Sequence, residues 1–259
     1  MSQTLKDRVV IVTGAGAGIG WGITQVCAKA GATLVMAELN EAAKAHAEAL
    51  VQKGLAVDFV QTDVSDPVSI QALVQTVVER YGRIDGLVNN AGVTLEGNFL
   101  DFPIEKLDCM WAVNQRSVFL MCQAVANVMA EKRSGAIVNI ASNHAGASVP
   151  DYEMYAGTKA AIVAMSRAMA WSLGKFGVRV NSLSPGLTRT EAVQKVVDNN
   201  PKFETSFNAM HADGTYATVE EIGQLAAFLL SDLSSALTGS DLIADHGLSA
   251  SLVSSQDLK

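Results

Sequence analysis

A hydroxyl, a phenol and an ammonium stand at Ser142, Tyr155 and Lys159. Ser142 directly follows the apolar run Ala136–Ala141, and Tyr155 comes 13 residues later. If residues 152–176 form a helix, Tyr155 and Lys159 lie on one face, one turn apart. A phenol is a poor base at its ordinary pKa near 10. A fixed cation stabilises the phenolate, so such a pair can accept a proton closer to neutrality. That change requires roughly 3–4 kcal/mol of differential stabilisation. One ammonium supplies part of it, and a cationic ring bound alongside would supply more.

A second chemistry stands near the start of the chain. Thr13-Gly14-Ala15-Gly16-Ala17-Gly18-Ile19-Gly20 lies between a β-branched run and a helical stretch. Glycines there let the backbone turn sharply and approach a pyrophosphate, whose charge meets the helix N-terminus. Glu38 follows Gly20 by 18 residues, the spacing at which an acid accepts hydrogen bonds from adenosine ribose hydroxyls. Its charge would repel a 2′-phosphate. No Arg or Lys occupies the glycine turn or the position after Glu38, which is Leu39. The pattern predicts NAD rather than NADP. Asn89-Asn90-Ala91-Gly92 ends another apolar run, where amides can tie strands together and Gly92 can admit the adenosine closely. Asp63-Val64 can bond the adenine edge, cap the helix beginning near Pro67, or do both.

These groups need a frame that brings distant segments to one place. Apolar runs at 9–13, 32–37, 56–61, 86–89, 136–141, 178–184 and 240–244 read as seven strands. Helical patterns fall between them at 19–29, 41–53, 67–81, about 104–132, 152–176 and 218–230. Pro67 starts one of these helices, and Thr218 with Glu221 forms a capping box at another. Alternating strands and helices imply right-handed crossovers and a three-layer, doubly wound α/β sheet. Without a linker, the chain reads as one domain over 1–259. The polar segment Leu187–Tyr216, with Pro201 and Gly214, reads as an irregular insert after a strand's carboxyl end, placed to cover a ligand.

Composition narrows the partners. The chain is 49% hydrophobic and 17% charged, against about 25% charged in an average domain. Much of its surface is therefore expected to be covered, by core or by partner subunits. The net charge of −7 opposes a nucleic-acid partner. Cys27, Cys109 and Cys122 lack metal or redox spacing, and each reads as a small buried thiol in a reducing compartment. His144 and His211 have no partner at metal-ligand spacing, so no metal is expected. Met1–Arg8 is polar, without the form of a signal peptide, and no apolar run reaches membrane length. A cytoplasmic protein without a membrane partner is the expectation.

Taken together, these motifs resemble the short-chain dehydrogenase/reductase family, in its compact single-domain branch, over nearly the whole chain. The resemblance rests on Thr13-Gly14-x-x-x-Gly18-x-Gly20, Asn89-Asn90-Ala91-Gly92, Ser142 with Tyr155-x-x-x-Lys159, and Pro185-Gly186 with Thr188 and Thr190. It implies a seven-stranded parallel sheet of the Rossmann type with helices on both faces. It also implies a catalytic quartet. Asn114 would hold a water on the path to the lysine, and Ser142 would orient the substrate oxygen. Tyr155 would be the acid/base and Lys159 would bond the nicotinamide ribose. Pro185, Gly186, Thr188 and Thr190 would hold the carboxamide, and the assembly would be a homotetramer. The chain departs from the family at Asp245-His246-Gly247, where relatives usually have aspartate and two glycines. It is also more polar than usual at Asn114-Gln115-Arg116 and Asn143-His144.

Asn143, His144, Glu153, Arg189, Asn208 and His211 flank the expected pocket or its cover. Donors and acceptors there suit a hydroxyl-rich small molecule better than a steroid or fatty acyl chain. The expected activity is NAD-dependent oxidation of a small polar secondary alcohol, a sugar or polyol. The alternatives are a carbonyl reductase of ketoacyl or keto-polyol type, and a non-catalytic NAD-sensing or scaffold protein.

Overall fold

The computed structural model describes residues 3–251. Residues 1–2 and 252–259, the two ends of the expected 1–259 domain, lie outside the described residues. Strand β1 (Val9–Thr13) is buried along its length, as a β-branched run with apolar residues on both sides requires. After the glycine turn come α1 (Gly18–Lys29), β2 (Thr33–Glu38), α2 (Lys44–Val51) and β3 (Val57–Gln61). Next are α3 (Pro67–Tyr81) and β4 (Gly86–Asn89). The α3 cap is Asp66, which accepts hydrogen bonds from Val68 N and Ser69 N.

The long helix expected over 104–132 is three pieces. α4 (Ile104–Met110) and α5 (Ser117–Lys132) flank a π-helical segment, Trp111–Arg116, that carries Asn114. π segments recur at functional sites and have no sequence signature of their own. β5 (Gly135–Ile140), α6 (Glu153–Gly174) and β6 (Val178–Pro185) follow.

The insert after β6 is not irregular, contrary to expectation. β7 (Thr188–Arg189) pairs in parallel with β8 (Ala217–Thr218), and between them lie α7 (Glu191–Asn199) and α8 (Lys202–Ala209). Thr190 caps α7 by accepting from Val193 N. Phe203 and Phe207 stack one turn apart on α8, with centroids 5.6 Å apart. α9 (Val219–Leu230) carries the anticipated capping box of Thr218 and Glu221, and β9 (Asp241–Ala244) closes the sheet.

The seven strands lie parallel in the order β3-β2-β1-β4-β5-β6-β9. Strand order reverses between β1 and β4, and a ligand crevice opens there at the carboxyl ends of the strands. One face packs α1, α2 and α9 through Ile23, Leu50 and Ile222. The other packs α3, α5 and α6 through Leu73, Met121 and Ile162. Cys27 and Cys122 are buried in these cores, but Cys109 is exposed, because the outer side of α4 faces away from the sheet.

Candidate active site

The end of β1 and the end of β4 are stitched by side chains. Asn90 donates from its backbone to Thr13 Oγ1 (3.0 Å) and from Nδ2 to the carbonyls of Thr13 and Gly14 (both 3.0 Å). Ala91 N also donates to Thr13 Oγ1, at 3.1 Å. Gly14 has φ +61, and a Cβ there would stand 2.8 Å from Ala91 Cα, so both conformation and space demand glycine. Behind this seam, buried Asn89 Nδ2 donates to Asn139 Oδ1 (2.8 Å), and Asn139 Nδ2 donates to Ser166 Oγ (2.9 Å). The relay locks β4, β5 and α6 together.

At the crevice Ile19, Asn90, Gly92, Ser142, Tyr155, Lys159, Pro185 and Gly186 line one pocket, with Thr94, Ile140 and Ala141. Ser142 is buried, and its Oγ accepts from His144 N (3.2 Å) and donates to Asn143 Oδ1 (3.4 Å). Lys159 is buried too; its Nζ donates to the Ile140 carbonyl at 2.9 Å. Burial lowers this amine to about 8. Its Nζ stands 5.7 Å from the Tyr155 ring centroid.

The phenol departs from the sequence-based expectation. Burial raises Tyr155 above its ordinary value, while hydrogen bonds with Ser142 and Thr94 pull it down by less. Lysine is not among the causes of its shift. An ammonium over the ring, itself desolvated, does not offset the burial of the phenolate.

Asn114 does more than the resemblance implied. Its Oδ1 accepts from Val93 N and its Nδ2 donates to the Val93 carbonyl, both at 2.8 Å. Both ends of the residue before Thr94 are thereby fixed. Thr94 is a site residue the sequence reading missed; its one signal is a hydroxyl two residues beyond Gly92.

Glu38 ends β2 and turns back to the glycine turn. Its Oε2 accepts from Gly16 N (3.0 Å) and its Oε1 from Asn40 N (3.1 Å). The Gly16 carbonyl accepts from His46 Nδ1 at 3.0 Å. At the head of α1, Gly18 N donates to Glu191 Oε2 at 3.2 Å. A carboxylate from α7 therefore sits on an amide of the glycine turn, a contact across 173 positions of sequence. Thr190 packs beside Gly18, and Thr188 Oγ1 donates to the Gly186 carbonyl at 3.0 Å.

Other expected residues make local contacts. Asp63 Oδ1 accepts from Ser65 N (2.8 Å) and Ser65 Oγ (2.7 Å), beside buried Val64, and Asp66 does the capping proposed for Asp63. Leu39 is exposed. Arg189 pairs with Glu204 at 2.8 Å and lies 3.9 Å over the Tyr216 ring, with Asn208 beside it. His211 is buried against Phe207, whose carbonyl accepts from its Nδ1 at 2.7 Å. Both are engaged within the insert, where buried His211 Nε2 has no hydrogen-bond partner among the described residues. Glu153 is exposed at the start of α6 and accepts from Asp151 N at 3.3 Å. His246, at φ +49, shares a 2.7 Å contact with Asp213 and so joins the insert to the end of β9.

The residues present fit a dinucleotide. A Cβ on Gly92 would stand 3.4 Å from Asn114 Oδ1 and 3.7 Å from Lys159 Nζ, partly filling the pocket. The buried ammonium has one protein acceptor among the described residues, leaving N–H groups for ribose hydroxyls. The glycine turn at the α1 N-terminus suits a pyrophosphate, and Glu38 suits a ribose.

Comparison with known proteins agrees with this geometry. The family described as enoyl-(acyl carrier protein) reductase matches residues 14–249. D-threitol dehydrogenase of Mycolicibacterium smegmatis is 37% identical over 244 residues, covering 94% of this chain and 93% of that protein. A 3-oxoacyl-acyl-carrier-protein reductase of Chlamydia muridarum is 36% identical over 250 residues, covering 96% of this chain and all of that one (100%). The crystal structure of a gluconate 5-dehydrogenase from Burkholderia cenocepacia, in complex with NADP and tartrate, superposes with a TM-score of 0.90 at 30% identity. It covers 96% of this chain and 98% of its own. Enzymes of this kind are oxidoreductases that use a nicotinamide cofactor, and the chain belongs to their family, the short-chain dehydrogenases/reductases.

Proposed function

We propose that the protein is an NAD-dependent dehydrogenase that oxidises a secondary alcohol of a small sugar or polyol. The observation that carries this reading is one pocket holding the Ser142 hydroxyl, the Tyr155 phenol and a buried Lys159 ammonium, next to a glycine turn. The net reaction converts a secondary alcohol and NAD⁺ into a ketone, NADH and a proton. When bound, the oxidised nicotinamide accepts hydride and adds positive charge beside the phenol. Tyr155 Oη takes the hydroxyl proton, while Ser142 Oγ holds the same substrate oxygen in line. Lys159 holds the nicotinamide ribose. Asn114 fixes the Val93 peptide, and through it the wall that Thr94 contributes.

Glu38 supports NAD over NADP, although the gluconate 5-dehydrogenase relative was crystallised with NADP. The threitol dehydrogenase relative supports a polyol substrate. The 3-oxoacyl reductase relative favours the second reading, reduction of a carbonyl. Exposed Trp111, Phe119 and Trp171 on the π segment, α5 and α6 support a homotetramer. The insert over 187–216 serves as the cover of the site. Three unpaired cysteines support a cytoplasmic location, and no described helix is long and apolar enough to cross a membrane.

The test is NADH formation at 340 nm from tetritols, pentitols, sugars and hydroxy acids, with Tyr155→Phe as control. The variant removes one oxygen, so NAD binding should survive while turnover falls by about 10²–10⁴-fold. Near wild-type turnover by Tyr155→Phe would refute the mechanism. Tight NAD binding with no alcohol oxidised and no ketone reduced would favour a sensing role.

A further inference from the structure

A second set of aromatic side chains packs against the Tyr155 ring. Tyr152 donates from its hydroxyl to Glu96 Oε1. Its ring stacks on His144 with centroids 4.9 Å apart and meets Tyr155 edge-on at 6.1 Å. His144 in turn meets Tyr155 edge-on at 5.6 Å and shares a 2.9 Å hydrogen bond with Ser148 Oγ. The exposed carboxylate of Glu96 is thus linked, through the phenol of Tyr152, to the ring of Tyr155.

We propose that this layer selects an uncharged polyhydroxy substrate, with the free oxygen of Glu96 accepting a hydroxyl remote from the reacting carbon. The inference rests on the polyol dehydrogenase reading and narrows its substrate class. Glu96 Oε2 has no hydrogen-bond partner among the described residues. Tyr152 is pushed up to about 12, by burial first and then by its bond to Glu96. It therefore remains a donor, and the carboxylate remains an acceptor. Burial lowers His144, so its ring is neutral at pH 7 and adds no positive charge.

The cations near the site have other work. Arg189 is held by Glu204 and stacked on Tyr216. Lys106 donates to the Glu96 carbonyl at 3.1 Å. Arg116 donates to the Ser65 carbonyl at 3.1 Å. Lys159 is committed to the Ile140 carbonyl and, in the proposed mechanism, to the ribose. A substrate carboxylate beside Glu96 would meet a like charge there, with Arg189 and Arg116 engaged elsewhere and Lys106 bound to the Glu96 main chain. Like charges facing each other across a site discriminate by rejecting the wrong ligand, as unlike charges do by attracting the right one.

The experiment compares a neutral tetritol such as threitol with the aldonic acid of the same chain length, threonate, in the wild type and in Glu96→Gln. The expected kcat/KM ratio favours the tetritol by at least about 100-fold in the wild type. Glu96→Gln should narrow it about tenfold or more, raising KM for the tetritol and lowering it for the acid, with kcat for the tetritol changed less than about twofold. Equal efficiency for the two, preference for the acid, or a ratio unmoved by Glu96→Gln would overturn the inference and leave polyol oxidation standing. If the wild type binds NAD yet oxidises no polyol or sugar, both the inference and the reading beneath it fail.

Discussion

Cofactor selection gives the most quantitative prediction. Glu38 is pinned from two sides, by Gly16 N at 3.0 Å and Asn40 N at 3.1 Å. It cannot swing aside for a 2′-phosphate without abandoning both donors. At about 4 Å and an effective dielectric of about 20, two unit like charges repel by about 4 kcal/mol. Solvent at this half-exposed position weakens the term, to about 2–4 kcal/mol, or about 30- to 1000-fold in relative efficiency. Substituting Glu38→Ala does more than remove the repulsion, because two backbone N–H groups are released toward the same space. Together with Leu39→Arg, it should turn a preference for NAD into a preference for NADP. The assay is kcat/KM for each cofactor at a saturating concentration of the alcohol, for the wild type and the double variant. Equal wild-type efficiency with NAD and NADP would refute the argument, as would a double variant that keeps the wild-type ratio.

Other consequences are open to measurement. The Lys159 amine titrates at about 8 in the cofactor-free protein, so NAD affinity measured by calorimetry should weaken as pH rises through 8. Lys159→Met should bind NAD more weakly and lose that pH dependence; a wild-type affinity flat from pH 7 to 9.5 would contradict it. The Asp213 hydrogen bond raises His246, so the proton is held more tightly folded than unfolded. Its stabilising effect is full below about pH 6.5 and is lost as pH climbs through the raised value. His246→Gly relieves a left-handed φ of +49, so its melting temperature relative to wild type should improve between pH 6 and pH 8.5, and a constant difference would refute the pairing. Light scattering should give a tetramer that Trp171→Glu dissociates; a wild-type monomer at micromolar concentration would reject the assembly.

The fold was legible because its strands are continuous apolar runs that stop at polar or glycine residues, and because Thr218 and Glu221 write a helix start into four residues. The convergence of Ser142, Tyr155 and Lys159 followed from the same logic, since a parallel sheet places successive strand ends on one edge. Other features depend on partners far apart in sequence. Arg189 meets Glu204 and Tyr216, 15 and 27 positions away, and no local pattern announces either contact. Tyr155 looked depressed by its lysine, but burial of both groups reverses the balance. The first helix of the insert does carry local signals: Thr190 before Val193, Val196 and Val197 has the cap and spacing of an amphipathic helix. Pro201 and the polar composition obscured them. The π segment around Asn114 had no local signature.

Glu191 makes the free protein a rival of its own cofactor. Its carboxylate holds Gly18 N, an amide within reach of a pyrophosphate at the head of α1. Being tethered, this rival is present at an effective concentration on the order of millimolar however dilute the protein is. A phosphate reaching that amide enters by anion exchange, so the apparent dissociation constant exceeds the intrinsic one by the reciprocal of the fraction of molecules whose tether is released. The leaving group of that exchange is the first residue of α7. A phosphate at the glycine turn would thus release the one hydrogen bond by which Glu191 ties the insert to the head of α1.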